Sequence, residues 1–172
     1  MEGWAPPTVR TFAWRLATDS LPTWQRKHRI CLETVSICPV CGVEEEDNYH
    51  PFIRCQLARD LYLAMAKVWQ LPDLHTILNN GKEWLLHVLS PLNEVGRLMV
   101  LLIFWRSWFV RNELVHNKPA LSMEASIRFF RSYLDSLVGI KLNTEADPTK
   151  GKTCIVYDMP APARHAHVPK TE

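Results

Sequence analysis

Four side chains stand at spacings that suit a metal. Cys38-Pro39-Val40-Cys41 places two thiols on one tight turn, and Gly42 follows to let the backbone leave it. His50 comes after eight intervening residues and Cys55 after four more, giving C-x2-C-x8-H-x4-C. Zinc takes four soft or borderline ligands in a tetrahedron, and a site filled by four protein ligands leaves no position for a reactive water. The pattern therefore predicts one structural zinc ion on Cys38, Cys41, His50 and Cys55. Cys55 lies just ahead of an apolar periodic segment, where a helix N-terminus favours the ionised thiolate. A redox dithiol is the competing reading, but the strand-to-helix context it belongs to is missing. Cys31 is a competing ligand, but its six-residue gap to Cys38 carries no turn signal; Cys154 in the tail is expected to be a free thiol.

Charges around this stretch are uneven. Glu44, Glu45, Glu46 and Asp47 form an acidic run expected to be a solvated loop. Beside three thiolates it would repel phosphate. The densest basic cluster is Arg26, Lys27, His28 and Arg29, next to Trp24. Arg26, Lys27 and Arg29 are the candidate contacts to RNA or DNA, with Trp24 as a stacking surface; a solvated helix face is the alternative. Arg10 and Trp14, one turn apart, suit a structural cation–π pair. Trp105, Trp108 and Asn112 share a helix face that reads as core, and Arg111 is expected to meet an acid or a helix end. No carboxylate set for polymerase or ribonuclease chemistry is visible. The expectation is no catalytic residue, no enzyme activity and no small-molecule substrate.

The elements that must hold these residues are helical. Val9, Phe12, Ala13, Leu16 and Ala17 repeat as one helix face, with Pro6-Pro7 at its start and Asp19-Ser20-Leu21-Pro22 at its end. Thr23 can cap a short helix carrying the basic cluster. Residues 31–49 read as irregular. Leu57, Leu61, Ala64, Met65 and Val68 mark the next helix. Trp84, Leu85, Val88 and Leu89 suggest a short one, and a long one runs from about Asn93 to about His116. Ser122 can cap a last helix, with Gly139 at its end. The predicted fold is mainly α: a small zinc-stapled helical unit with an irregular zinc loop over 4–72, a helical extension over 82–140, and a disordered C-terminal tail over 143–172. The extension carries its own apolar faces and is expected to fold without metal.

Composition bounds the rest. A 172-residue chain that is 47% hydrophobic and 22% charged can build an ordinary core. The formal charge of +2 gives no global polyanion signal, so any nucleic-acid surface must be a local patch. Seven tryptophans require large apolar surfaces to be covered. The apolar helix over 97–110 is one place where a protein partner could bind. Arg97, Arg106 and Arg111 interrupt it too closely for a membrane span, which needs about 20 apolar residues. Met1 to Pro7 lacks the pattern of a secretory signal. Five cysteines, an odd number with one Cys-x-x-Cys, favour metal binding in a reducing intracellular compartment.

These residues also carry a resemblance. The sequence resembles the zinc-binding segment of reverse transcriptases from plant non-LTR retrotransposons. Pro7, Val9, Phe12 and Trp14 match that family's Pro-x-Val-x-x-Phe-x-Trp helix, and Leu21-Pro22-Thr23 its following turn. Cys38-Pro39-x-Cys41-Gly42 is similar to its first ligand pair. Glu46, His50, Phe52, Cys55 and Ala58 are similar to its Glu-x3-His-x-Phe-x2-Cys-x2-Ala stretch. Downstream, Trp105-x2-Trp108-x2-Arg111-Asn112 resembles its Trp-x2-Trp-x2-Arg-Asn signature. Lys27 and Pro51 stand where the family usually has Leu. The resemblance covers roughly residues 4 to 116. It implies a zinc-binding accessory of reverse transcription, detached from its polymerase and ribonuclease H neighbours.

Overall fold

The computed structural model describes residues 5–79, 81–119 and 122–146. It divides into two compact units, Met1–Leu137 and Val138–Glu172. All side-chain packing given below lies in the first; the second is described only as helix as far as Ala146.

The fold is mainly helical, and no strand is present among the described residues. Helix α1 (Pro7–Ala17) starts at Pro7, which needs no N–H in the first turn, and buries Val9, Phe12, Ala13 and Leu16. Helix α2 (Trp24–Arg29) is capped by Thr23, whose side chain accepts from the Arg26 N–H. Irregular chain follows, with one antiparallel bridge between Ile37 and Glu45. A π-helical turn (His50–Arg54) then leads into α3 (Gln56–Ala66). Helix α4 (Trp84–Leu89) buries Trp84, Leu85, Val88 and Leu89. Helix α5 (Glu94–Val115) is capped by Asn93, whose side chain accepts from the Gly96 N–H. Helix α6 (Met123–Ala146) begins where the Ala125 N–H donates to the Ser122 hydroxyl, 3.1 Å away.

Two expectations about these elements are corrected. Helix α6 does not stop at Gly139 but runs to Ala146, so the first residues assigned to the tail are helical. An interior glycine costs only about 1 kcal/mol, which the flanking helix formers can absorb. The remainder of the expected tail, 147–172, lies outside the described residues. On α3 the buried face is Ala58, Leu61, Tyr62 and Met65, whereas Val68 follows the end of the helix and is exposed.

Packing does not follow a border between 72 and 82. One core cluster runs from Val9 through Phe52, Tyr62 and Trp84 to Leu102, Phe104 and Phe130. Helix α5 is buried on nearly every side from Leu98 to Arg111, against α1, the π-helical turn, α3 and α4. Phe52 sits at the middle with no exposed surface. Its ring lies 5.8 Å from Phe12, 5.6 Å from Phe104, 6.1 Å from Trp108 and 6.3 Å from Trp84. The apolar face of α5, which the sequence assigns to a helical extension over 82–140, is thus one wall of a core shared with α1 and α3. Among the described residues no helix is long and apolar enough to cross a membrane.

Candidate metal centre

Two local devices bring the four candidate ligands together. The first is a knuckle. The bridge at Ile37 and Glu45 is closed by Cys38 N–H donating to the Glu44 carbonyl at 2.8 Å and Glu46 N–H to the Ser36 carbonyl at 2.9 Å. Within it, Gly42 N–H donates to the Cys38 carbonyl at 2.8 Å, and Gly42 has φ 68°, a left-handed conformation that a side chain would strain. The second device is the π-helical turn. Cys55 N–H donates to the His50 carbonyl at 2.8 Å, so a bond across five residues folds these two ligands onto each other. Asp47 opens that turn by accepting from the backbone N–H groups of Tyr49 (3.0 Å) and His50 (2.7 Å). Pro51 fits the first turn, where its missing N–H is not needed.

The Sγ atoms of Cys38, Cys41 and Cys55 and a ring nitrogen of His50 all lie within 4.8 Å of one another. Cys41 Sγ and His50 Nε2 are 3.3 Å apart. Around a zinc with bonds of about 2.0–2.3 Å, tetrahedral ligand atoms are separated by roughly 3.4–3.8 Å. A contraction of no more than about 1 Å would close the set. Three thiols and an imidazole are the donor chemistry zinc prefers, and these four side chains could hold one zinc ion. Cys38, His50 and Cys55 are buried and Cys41 half-buried. His50 Nδ1 faces Glu44 Oε2 at 3.4 Å, and Arg54 Nε holds the same carboxylate at 3.3 Å. Such an outer carboxylate orients the ring and leaves Nε2 for a metal. Cys31 stays outside: it is exposed, and at φ 56° it forms the left-handed end of α2.

Without a metal the cluster keeps protons. A hydrogen bond to Cys55, and then burial, push the Cys38 thiol up to about 12. Cys55 is lowered, chiefly because Cys38 donates to it. Burial alone would lower His50, but the sulfurs of Cys38 and Cys41 outweigh that and hold it at about 9. A metal must displace these protons.

The acidic run is not the solvated loop expected. Only Glu44 and Glu45 are exposed, and Glu44 and Asp47 share Arg54, with Asp47 Oδ2 at 2.8 Å from its Nη2. Glu46 has no exposed surface. Arg111 of α5 grips it with two hydrogen bonds, Nε to Oε1 at 2.8 Å and Nη2 to Oε2 at 2.5 Å. Glu46 also accepts from the Trp24 N–H at 2.8 Å and faces Cys38 Sγ at 3.8 Å. Arg111 meanwhile stacks 4.7 Å over the Trp108 ring and donates to Asn112 Oδ1. One carboxylate thus joins the knuckle, the start of α2 and the long helix. Arg111 meets an acid, one of the two partners expected for it. Burial alone does not demand an acid: Arg106, buried on the same helix, is held by the Ser126 hydroxyl and the rings of Phe109 and Phe129 instead.

The structure does not bring the basic cluster to the metal ligands. Arg26 bonds the Asp19 carbonyl, Lys27 lies 3.6 Å from Glu33 and 5.6 Å over the Trp24 ring, and Arg29 donates to Gln25 Oε1. Nor do Arg10 and Trp14 form the expected cation–π pair among the described residues; Trp14 stands 65% exposed.

Residues 2–62 match the family model described as zinc-binding in reverse transcriptase. The match spans all four candidate ligands and supports a reverse transcriptase zinc-binding domain over this segment. No curated protein and no solved structure matches the chain.

Proposed function

We propose that this protein is a non-catalytic module in which one structural zinc braces an accessory surface of a reverse transcriptase, derived from a non-LTR retrotransposon of the plant type, and that the surface associates with RNA or DNA. The observation that carries this reading is the Cys3His cluster within a segment matching the zinc-binding family of reverse transcriptases. Four protein ligands leave the metal no open coordination position, so its role is to hold chain. The motif around Trp105, Trp108, Arg111 and Asn112 supports the retrotransposon origin. For nucleic acid, the support is the basic face of α2. Its bonds to Glu33 and Gln25 are surface contacts worth about 0–1 kcal/mol, and phosphate oxygens can replace them at little cost. The test is binding of labelled RNA and DNA by the zinc-loaded chain across a salt series. Affinity falling steeply with salt is expected; no binding at low salt would leave only the structural module.

A further inference from the structure

Tryptophan is usually well covered in a folded protein, and α1 breaks that pattern. Its inner face is buried, yet Trp14 is 65% exposed on the outer one. Pro7, Arg10, Thr11 and Trp14 line an open depression of about 370 Å³. Thr11 is already committed, its hydroxyl donating to the Pro7 carbonyl at 2.9 Å. Arg10 and Arg15, both exposed, have side chains without an ion pair or hydrogen bond among the described residues. Helix α1 contains no acidic residue. Arg10 precedes Trp14 by one helical turn, a rise of about 6 Å, and Arg15 follows it directly. The α2 cations, by contrast, are all engaged with neighbours.

We propose that the outer face of α1 is a binding site for single-stranded nucleic acid, in which an unpaired base stacks on Trp14 while Arg10 and Arg15 take the flanking phosphates. This rests on the nucleic-acid reading above and extends it to a surface whose Arg10 and Trp14 the sequence suggested only as a structural pair. An aromatic face accepts any base, and guanidinium groups pair well with phosphate, so the site would tolerate sequence but require an unpaired strand. A duplex keeps its bases stacked and offers Trp14 nothing.

The test uses the full zinc-loaded chain with a fluorescent 20-nucleotide oligouridine and a duplex of equal length, read by anisotropy. Trp14→Ala should weaken oligouridine binding by about 5- to 150-fold and leave duplex binding unchanged. Trp14→Phe should keep most of the affinity. Arg10→Gln with Arg15→Gln should lower the single-strand salt slope by about 0.7 per residue. Since Trp14 is exposed, zinc content and helicity should match wild type in each variant. Wild-type binding that survives Trp14→Ala, or a loss equal on both oligonucleotides, would overturn this site and leave the nucleic-acid reading standing. A wild type that binds neither oligonucleotide would overturn both. Self-association abolished by Trp14→Ala, again without oligonucleotide binding, would make the face a contact with a second copy of the chain.

Discussion

Two regions of this molecule treat charge in opposite ways. At the seam between the knuckle and α5, Glu46 and Arg111 are almost fully buried, bonded twice to each other and again to the backbone, a thiol and a neighbouring amide. On the outer faces of α1 and α2, arginines stand in solvent, either unpaired or in loose surface contacts. The buried pair is costly to break, because removing one partner leaves the other charge stranded away from water. The exposed cations are cheap to rearrange, because water and salt already screen them. The first arrangement fixes geometry and the second is available to bind. The same division runs through the aromatic residues: Phe52 and Trp84 hold the core, whereas Trp14 faces out.

The largest effect should come from the ligands. Cys55→Ser removes one thiolate and the tie between the π-helical turn and α3. A structural zinc site contributes on the order of 10–16 kcal/mol of binding free energy to folding. Because the core is shared, hydrogen exchange should show protection lost in α1, in α3 and also along 98–111 of α5. Protection retained in α5 alone would mean that the long helix folds without the knuckle, and the seam would then carry less than its geometry implies.

Next comes the seam itself. Arg111→Met should cost about 3–5 kcal/mol in denaturant unfolding, since it leaves a buried carboxylate unpaired. Glu46→Leu combined with Arg111→Met should recover much of that stability. Zinc affinity, read by competition with a chelator, should fall in Arg111→Met, because Glu46 faces Cys38 at 3.8 Å and an uncompensated carboxylate there opposes the thiolate. Unchanged zinc affinity would separate the seam from the metal.

Protonation gives a smaller and more specific effect. His50 is raised from 6.5 to about 9 in the metal-free fold. A raised folded value stabilises below the unfolded one, and that contribution is lost as pH climbs through the folded one. Metal-free protein should therefore lose stability between about pH 6.5 and 9, and His50→Gln should flatten that slope. Zinc uptake at pH 7 in weak buffer should acidify the solution, as His50 and Cys38 give up their protons. Uptake without proton release would contradict these assignments.

The smallest change belongs to the exposed side. Arg26, Lys27 and Arg29 replaced together by Ala should leave folding intact. The salt slope of nucleic-acid binding should fall by about 0.7–0.9 for each phosphate that these side chains no longer neutralise. An unaltered slope would assign binding to α1 alone.

Much of this was legible beforehand. The ligand spacing, the caps at Thr23 and Ser122, and the buried face of α1 each depend on residues close in sequence, where periodicity and capping rules operate. What was not legible depends on distance along the chain. The resemblance marks Glu46 rather than Glu44 or Glu45, but no local rule says why; the bridge register and the arrival of α5 make it the buried one. Trp14 shows the reverse case. It looked like half of an internal pair because Arg10 lies one turn away, but which face of α1 meets the core is decided by Val9, Phe12 and Leu16. The helical run past Gly139 escaped notice because a glycine near a helix end usually marks a stop, and propensity on both sides outweighed it here.

The grip of Arg111 on Glu46 bears on portability. The family match ends at residue 62, well before α5 begins. A cassette cut at that point and moved into another protein would carry every metal ligand yet strand a carboxylate in its interior and leave Phe52 without three of its four ring neighbours. Recombination that keeps such a cassette working must bring along a helix from downstream, or a host surface with a cation in the same place. The unit that folds here is a discontinuous pair of segments, and it is wider than the matched stretch 2–62.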